Sequence, residues 1–189
     1  MSYAYHLPWL QKIADTIKKS LNEYPRTVML RVDLRFPDIP SKDDDAAISR
    51  FIDSIKARIK ANQRKKKKQG KRVHETKLRY VWVKEYGKAK NKKHYHVILI
   101  LNKDAWCYLG EYKSKSSLSG IIMRAWCSAL KLNDSQYLSL THFPDNAMHW
   151  IHKNRPNEFT QAMSRAIYLA KYHTKSIGDN ERNFGCSQQ

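Results

Sequence analysis

Apolar residues recur at helical spacing through Leu10, Ile13, Ile17 and Leu21, just after Pro8, and the pattern breaks at Asn22–Pro25. This predicts an N-terminal helix over about 8–22. Next, Val28, Leu30, Val32, Leu34 and Phe36 alternate with Met29, Arg31, Asp33 and Arg35. Period two over that length predicts a strand with one buried face, ended by Pro37 and Pro40. Asp43–Asp45 have the character of an N-terminal cap with favourable dipole charge. Ile48, Phe51, Ile52, Ile55 and Ile59 then mark a helix that runs into RKKKKQGKR, residues 64–72.

Leu78–Glu85 and His94–Leu101 both read as strands, and the polar stretch YGKAKNKK between them reads as a hairpin loop. Leu118, Ile121, Ile122, Ala125 and Ala129 mark another helix, and Tyr137–His142 a further short strand. From about Asn157, Phe159, Met163, Ala166, Ile167 and Ala170 form the apolar stripe of a last helix that ends before Gly178, followed by a short polar tail. Strands and helices are interspersed, and the clearest strand pair is a hairpin, hence antiparallel. The expectation is one α+β domain over residues 1–189, a central antiparallel sheet flanked by helices, with a basic loop at 64–72.

Composition narrows the partners. At 41% apolar residues the chain can bury a core, and 11% aromatic content argues against wholesale disorder. The 36 Lys and Arg against 17 acids leave a formal charge of +19. That excess resists compaction and favours a polyanionic partner, for which nucleic acid is the usual candidate. Arg64, Lys65, Lys66, Lys67, Lys68, Lys71 and Arg72 form the densest run. It reads equally as a solvated loop or as a phosphate-contacting arm. No stretch approaches the roughly 18 apolar residues of a membrane span, so no membrane partner is expected. Cys107, Cys127 and Cys186 are far apart and odd in number, which suggests reduced thiols in a cytosol.

Two features carry chemistry. Alternation puts His94 and His96 on one face of their strand, with Tyr95, Val97, Leu99 and Leu101 on the other. If the hairpin is symmetric, Glu85 lies opposite His94, Val83 opposite His96 and Val81 opposite Ile98. Two imidazoles and a carboxylate with open positions suit Mn²⁺ or Mg²⁺. A slip of one residue would remove the carboxylate from that face, and a His-x-His on a strand is also found without any metal. The second feature is Tyr168, Lys171, Tyr172 and Lys175, at i, i+3, i+4 and i+7 of the last helix and roughly opposite its apolar stripe. A phenol ionises near pH 10, so a tyrosine attacks phosphate at neutral pH only with help from cations or a metal. The other reading is a surface helix that simply binds phosphates.

Together these motifs resemble the HUH endonucleases, particularly the rolling-circle replication initiators of phages and plasmids. His94-Tyr95-His96 is similar to their metal motif. YVWVKE, ending in Glu85, is similar to the strand that gives the third ligand. YLAKYHTK, from Tyr168 to Lys175, is similar to their tyrosine motif, in which a lysine follows the tyrosine by three. MLRVDLRFP is similar to their first motif, though more polar. The tyrosine follows the histidines, as in replication initiators; in conjugative relaxases it precedes them.

The resemblance, over about Val28–Gly185, implies a metal site on the sheet beside a tyrosine helix. It implies site-specific nicking of single-stranded or supercoiled DNA, with a 5′-phosphotyrosine link, a free 3′-OH and reversal by religation. Tyr168 would be the nucleophile, Lys171 its helper and Tyr172 a second tyrosine, with the work done in a bacterial cytoplasm for a mobile element or against a rival one. The chain is too short for a helicase domain as well, so unwinding would come from a host helicase. Two alternatives remain at this point: a non-enzymatic basic DNA- or RNA-binding protein, and a structural metal protein with His74, His142, His149 or His152 as a fourth ligand.

Overall fold

The computed structural model describes residues 4–39, 44–87, 92–171 and 182–188, apart from the side chains of Asp134 and Ser135. The elements in order are α1 (Leu7–Glu23), β1 (Arg26–Arg35), α2 (Ala47–Lys68), β2 (Arg79–Tyr86), β3 (Lys93–Asn102), α3 (Leu118–Ala129), α4 (Asp134–Tyr137), β4 (Thr141–His142), β5 (Met148–His152), α5 (Pro156–Ala166) and β6 (Phe184–Cys186). The strands form one antiparallel sheet in the order β4-β1-β3-β2-β6, with β5 also paired to β1. This is the expected α+β architecture, a sheet with helices on it.

Helices cover both faces of the sheet. Ile48, Phe51, Ile52 and Ile55 of α2 and Ile121, Ile122 and Trp126 of α3 pack on Val28, Leu30, Val32, Val97 and Leu99. On the reverse, Ile13 and Ile17 of α1 and Ala162 and Ala166 of α5 pack on Met29, Val81, Val83, Ile98 and Ile100. Hence β1 is buried along both faces for most of its length, where alternation alone predicts one buried face. Met29 and Asp33 lie on the second face, which α1 and α5 shield from water.

Local chemistry accounts for the helix limits. His6 caps α1 by accepting from Trp9 N at 3.4 Å, and Pro8 occupies the first turn, where a missing N–H costs nothing. Ala46 is the N-cap of α2 and makes no side-chain cap bond. Of the aspartates, Asp44 binds Arg50 at 2.8 Å, and Arg50 together with the backbone N–H groups of Ala47 and Ala46 holds its carboxyl below the usual range; Asp45 binds Lys93 at 2.6 Å, and Asp43 lies outside the described residues.

The basic loop at 64–72 is corrected. Residues through Lys68 continue α2, and only Gln69–Arg72 leave it. Lys65–Lys68 sit in its last turn, where the helix dipole favours cations. The strand expected at Tyr137–His142 is mostly a short helix and a 3-10 turn, Leu138–Leu140, with only Thr141–His142 paired. Two strands lacked a sequence signal: β5, and β6 in the polar tail. Among the described residues no helix is long and apolar enough to cross a membrane, and none of the three cysteines forms a disulfide.

Candidate metal centre

The centre is built at the turn end of the β2–β3 hairpin, beside β1. Tyr95 is 1% exposed and lies among Phe36, Trp82 and Trp126 on the α2–α3 side, with ring centroids 5.3–6.3 Å apart in this group. Trp126 is itself tied down by its indole N–H, which donates to the Arg35 carbonyl at 2.7 Å. With Tyr95 locked inward, its neighbours His94 and His96 must face the other side of the sheet. The register is the symmetric one: Glu85 pairs with His94, Val83 with His96 and Val81 with Ile98.

Glu85, His94 and His96 therefore converge. His96 Nε2 is 3.2 Å from Glu85 Oε2 and 3.3 Å from His94 Nε2, and His94 Nε2 is 3.8 Å from the same carboxylate oxygen. Ligand atoms about 2.0–2.2 Å from one divalent ion lie about 3.0–3.5 Å from each other, so two of these three separations already suit a common ion and the third is slightly long. Glu85 is buried and His94 half-buried, so the carboxylate is available at little further desolvation cost. The three could hold a metal ion between them.

Asp33, which sequence reasoning did not assign to the site, sets the tautomer of His96. It pairs with His96 across β1–β3, and its Oδ1 lies 2.6 Å from His96 Nδ1. Burial pushes the Asp33 carboxyl up, but the bond to His96 and the charges of His96 and Arg31 outweigh it and hold it below the usual carboxylate range. An ionised carboxylate only accepts, so His96 Nδ1–H is the donor and Nε2 is turned to the centre. His94 Nδ1 lies 3.3 Å from the Lys92 carbonyl, which likewise leaves its Nε2 inward. Burial, then the neighbouring His96, push the His94 pKa down, which keeps its ring neutral and able to ligate.

The tyrosine segment reaches this centre by a different route from the one expected. The α-helix stops at Ala166, and Ile167–Ala170 form a 3-10 turn. Lys171 is extended and bridges to Tyr5, while His6 N donates to the Ala170 carbonyl at 2.8 Å. The continuous helical stripe of Tyr168, Lys171, Tyr172 and Lys175 is thus corrected between Tyr168 and Lys171; Tyr172 and Lys175 lie outside the described residues. Tyr168 and Lys171 nevertheless stay together, with Lys171 Nζ 5.1 Å from the Tyr168 ring centroid. The Tyr168 ring meets the His96 ring edge-on at 5.4 Å and 79°. Arg31 stands 4.9 Å from the same ring and binds Asp33 at 3.2 Å.

The structure brings together Glu85, His94, His96, Tyr168 and Lys171, and adds Arg31 and Asp33. Charged residues at Arg31, Asp33 and Arg35 of an otherwise apolar strand were the signal available for those two. The basic run Arg64–Arg72 is not part of this assembly. Lys66 lies over Trp106 and Lys67 pairs with Glu75 at 2.7 Å, near the start of β2 and the end of β3, whereas the centre lies at the other end of that hairpin. Of the histidines considered as a fourth ligand, none joins the trio among the described residues. His149 contacts the Glu158 carbonyl, and His152 Nδ1 accepts from Asn154 N.

Comparison with known proteins places the chain. The family described as the YagK/YfjJ C-terminal domain matches residues 2–187. The uncharacterized protein YagK of Escherichia coli (strain K12) is 35% identical over 194 residues, spanning 96% of this chain and 93% of that protein. The uncharacterized protein YfjJ of the same strain is 37% identical over 192 residues, spanning 94% and 92%. No solved structure matches the chain. From nearly full-length matches to the family and to both relatives, the chain belongs to the YagK/YfjJ C-terminal domain family.

Proposed function

We propose that this protein is a divalent-metal-dependent DNA nickase and strand-transferase of the HUH type, with Tyr168 as its nucleophile. The observation that carries the reading is the contact between the Tyr168 ring and His96, 5.4 Å between centroids, which sets a tyrosine beside a two-histidine, one-carboxylate donor set. Glu85, His94 and His96 would hold Mn²⁺ or Mg²⁺, which supplies Lewis-acid polarisation of the scissile phosphate. Tyr168 Oη forms the new P–O bond as the bond to the 3′ oxygen breaks, leaving a 5′-phosphotyrosine and a free 3′-OH; the reverse reaction religates. Arg31 and Lys171, both beside the Tyr168 ring, stabilise the phenolate and the phosphate oxygens. Asp33 holds His96 in the ligating tautomer.

Among the described residues the donor set has three members, which favours this reading over a closed structural metal site, which needs a fourth ligand. A charge of +19 suits DNA as substrate, and in a bacterial cytoplasm such an enzyme would serve a mobile element and draw on a host helicase for unwinding. The test is nicking of supercoiled plasmid carrying the DNA that flanks this protein's own gene. Nicking in Mn²⁺ that disappears in chelator and in His94→Ala and His96→Ala supports the reading. Full activity in chelator, or in the double variant, refutes it. Binding without nicking under any metal leaves the non-enzymatic nucleic-acid-binding alternative.

A further inference from the structure

A second arrangement of exposed chemistry lies at the other end of β1. Trp150 on β5 pairs with Val28, on the α2–α3 side of the sheet, yet it is 42% exposed, and Tyr108, from the segment after β3, is 68% exposed. Their rings meet edge to face, with centroids 5.7 Å apart at 76°. The indole N–H of Trp150 donates to the Cys107 carbonyl at 3.2 Å, so this outward ring is held in place by its polar end. Lys103 Nζ stands 4.3 Å from the Trp150 centroid. A hollow of about 310 Å³ beside the indole is framed by Arg26, Lys103, His152, Arg155 and Glu158.

Exposed aromatic pairs carry a solvation cost and mark binding surfaces. The charge around this pair says what binds. Arg26 pairs with Asp104 at 2.9 Å and Arg155 with Glu158 at 3.0 Å. Lys103 adds a cation that those ion pairs do not neutralise. Rings for bases beside cations for phosphates are the equipment of single-strand binders. A duplex keeps its base faces stacked inside and would leave both rings unused. We infer that Trp150, Tyr108 and Lys103 form a stacking platform for single-stranded nucleic acid, separate from the metal centre. Trp150 and His96 pair with β1 residues Val28 and Asp33, about 17 Å apart along the strand, and face opposite sides of the sheet. The platform shares with the proposed function its nucleic-acid partner and none of its chemistry. It would grip a strand at a point remote from the cut.

The test is a titration of the full chain with a twenty-residue oligothymidylate in chelator, followed by tryptophan fluorescence and by anisotropy. Trp82, Trp106 and Trp126 are buried and Trp9 is half-buried between His6 and Phe184, so the titration is made in a Trp9→Phe background, where quenching reports on Trp150. The single strand should quench, and a duplex of equal length should quench far less. Trp150→Ala should lose the quench and bind about tenfold more weakly; Tyr108→Ala, at an open position that folding tolerates, should also weaken binding several-fold. Unchanged affinity in both variants, equal quenching by duplex, or no affinity for the single strand would overturn the platform, the last pointing to a protein partner. Because the titration holds no metal and reads no cleavage, its failure leaves the nickase reading intact, and loss of nicking leaves the platform intact.

Discussion

Asp33 and His96 face each other across β1 and β3, with the carboxylate 2.6 Å from Nδ1 of the ring. This contact orients Nε2 toward Glu85 and His94. Asp33→Asn should keep the fold and lower Mn²⁺ affinity roughly ten- to a hundred-fold, as read by calorimetric titration. Unchanged affinity would mean that the carboxylate does not orient the ligand.

Acid should reveal the depressed His94 pKa. Burial and then the neighbouring His96 hold it below the ordinary 6.5. The unfolded chain takes up this proton near pH 6.5, while the folded ring resists it to lower pH. The contribution of His94 to metal-free stability is therefore complete above pH 6.5 and is lost as pH falls through the folded-state value. Urea denaturation of the metal-free protein from pH 7.5 to 5 checks this; stability that does not fall below pH 6.5, or a loss that His94→Ala leaves unchanged, contradicts it.

The basic end of α2 should govern DNA affinity without touching the metal. Changing Lys65 and Lys68 to Gln should weaken DNA binding and flatten its salt dependence, by about 0.9 in log–log slope for each duplex phosphate that is no longer neutralised. Mn²⁺ affinity should be unchanged, because these residues lie at the far end of the hairpin from Glu85 and His94. A flat salt response in the unaltered protein would remove the electrostatic role.

Strand β6 depends on a missing side chain. A Cβ on Gly185 would come within 2.5 Å of the Trp82 indole, which is held between the Tyr95 ring and the Arg182 guanidinium. Gly185→Ala should push β6 off β2 and cost about 1–3 kcal/mol by overpacking, measured by urea denaturation. No change in the midpoint would show that β6 contributes little.

How much of this was legible in the sequence depended on the range of the forces. The Glu85–His94 register followed from reading the β2–β3 hairpin as symmetric, and the pairing is the symmetric one. The helices α1, α2 and α3 were readable from their apolar stripes. The tyrosine segment was not: α5 ends at Ala166, and the backbone that follows bonds to Tyr5 and His6. No local pattern announces a partner so distant in sequence. Strand β6 has three residues, too few for a periodicity, and its glycine makes sense only once Trp82 lies beneath it. Asp33 and Arg31 were visible as charges in an apolar strand, but their role appears only when β1 pairs with His96.

In the proposed reaction Tyr168 becomes linked to DNA. The direct measurement is a denaturing gel of the protein incubated with Mn²⁺ and a cleavable plasmid, with the linked residue mapped by peptide mass. The account predicts an adduct on Tyr168 that is absent in chelator and in Tyr168→Phe, while Tyr168→Phe still binds DNA. An adduct on Tyr172 with Tyr168→Phe still active would contradict the assignment of the nucleophile, and nicking with no adduct on either residue would contradict the mechanism.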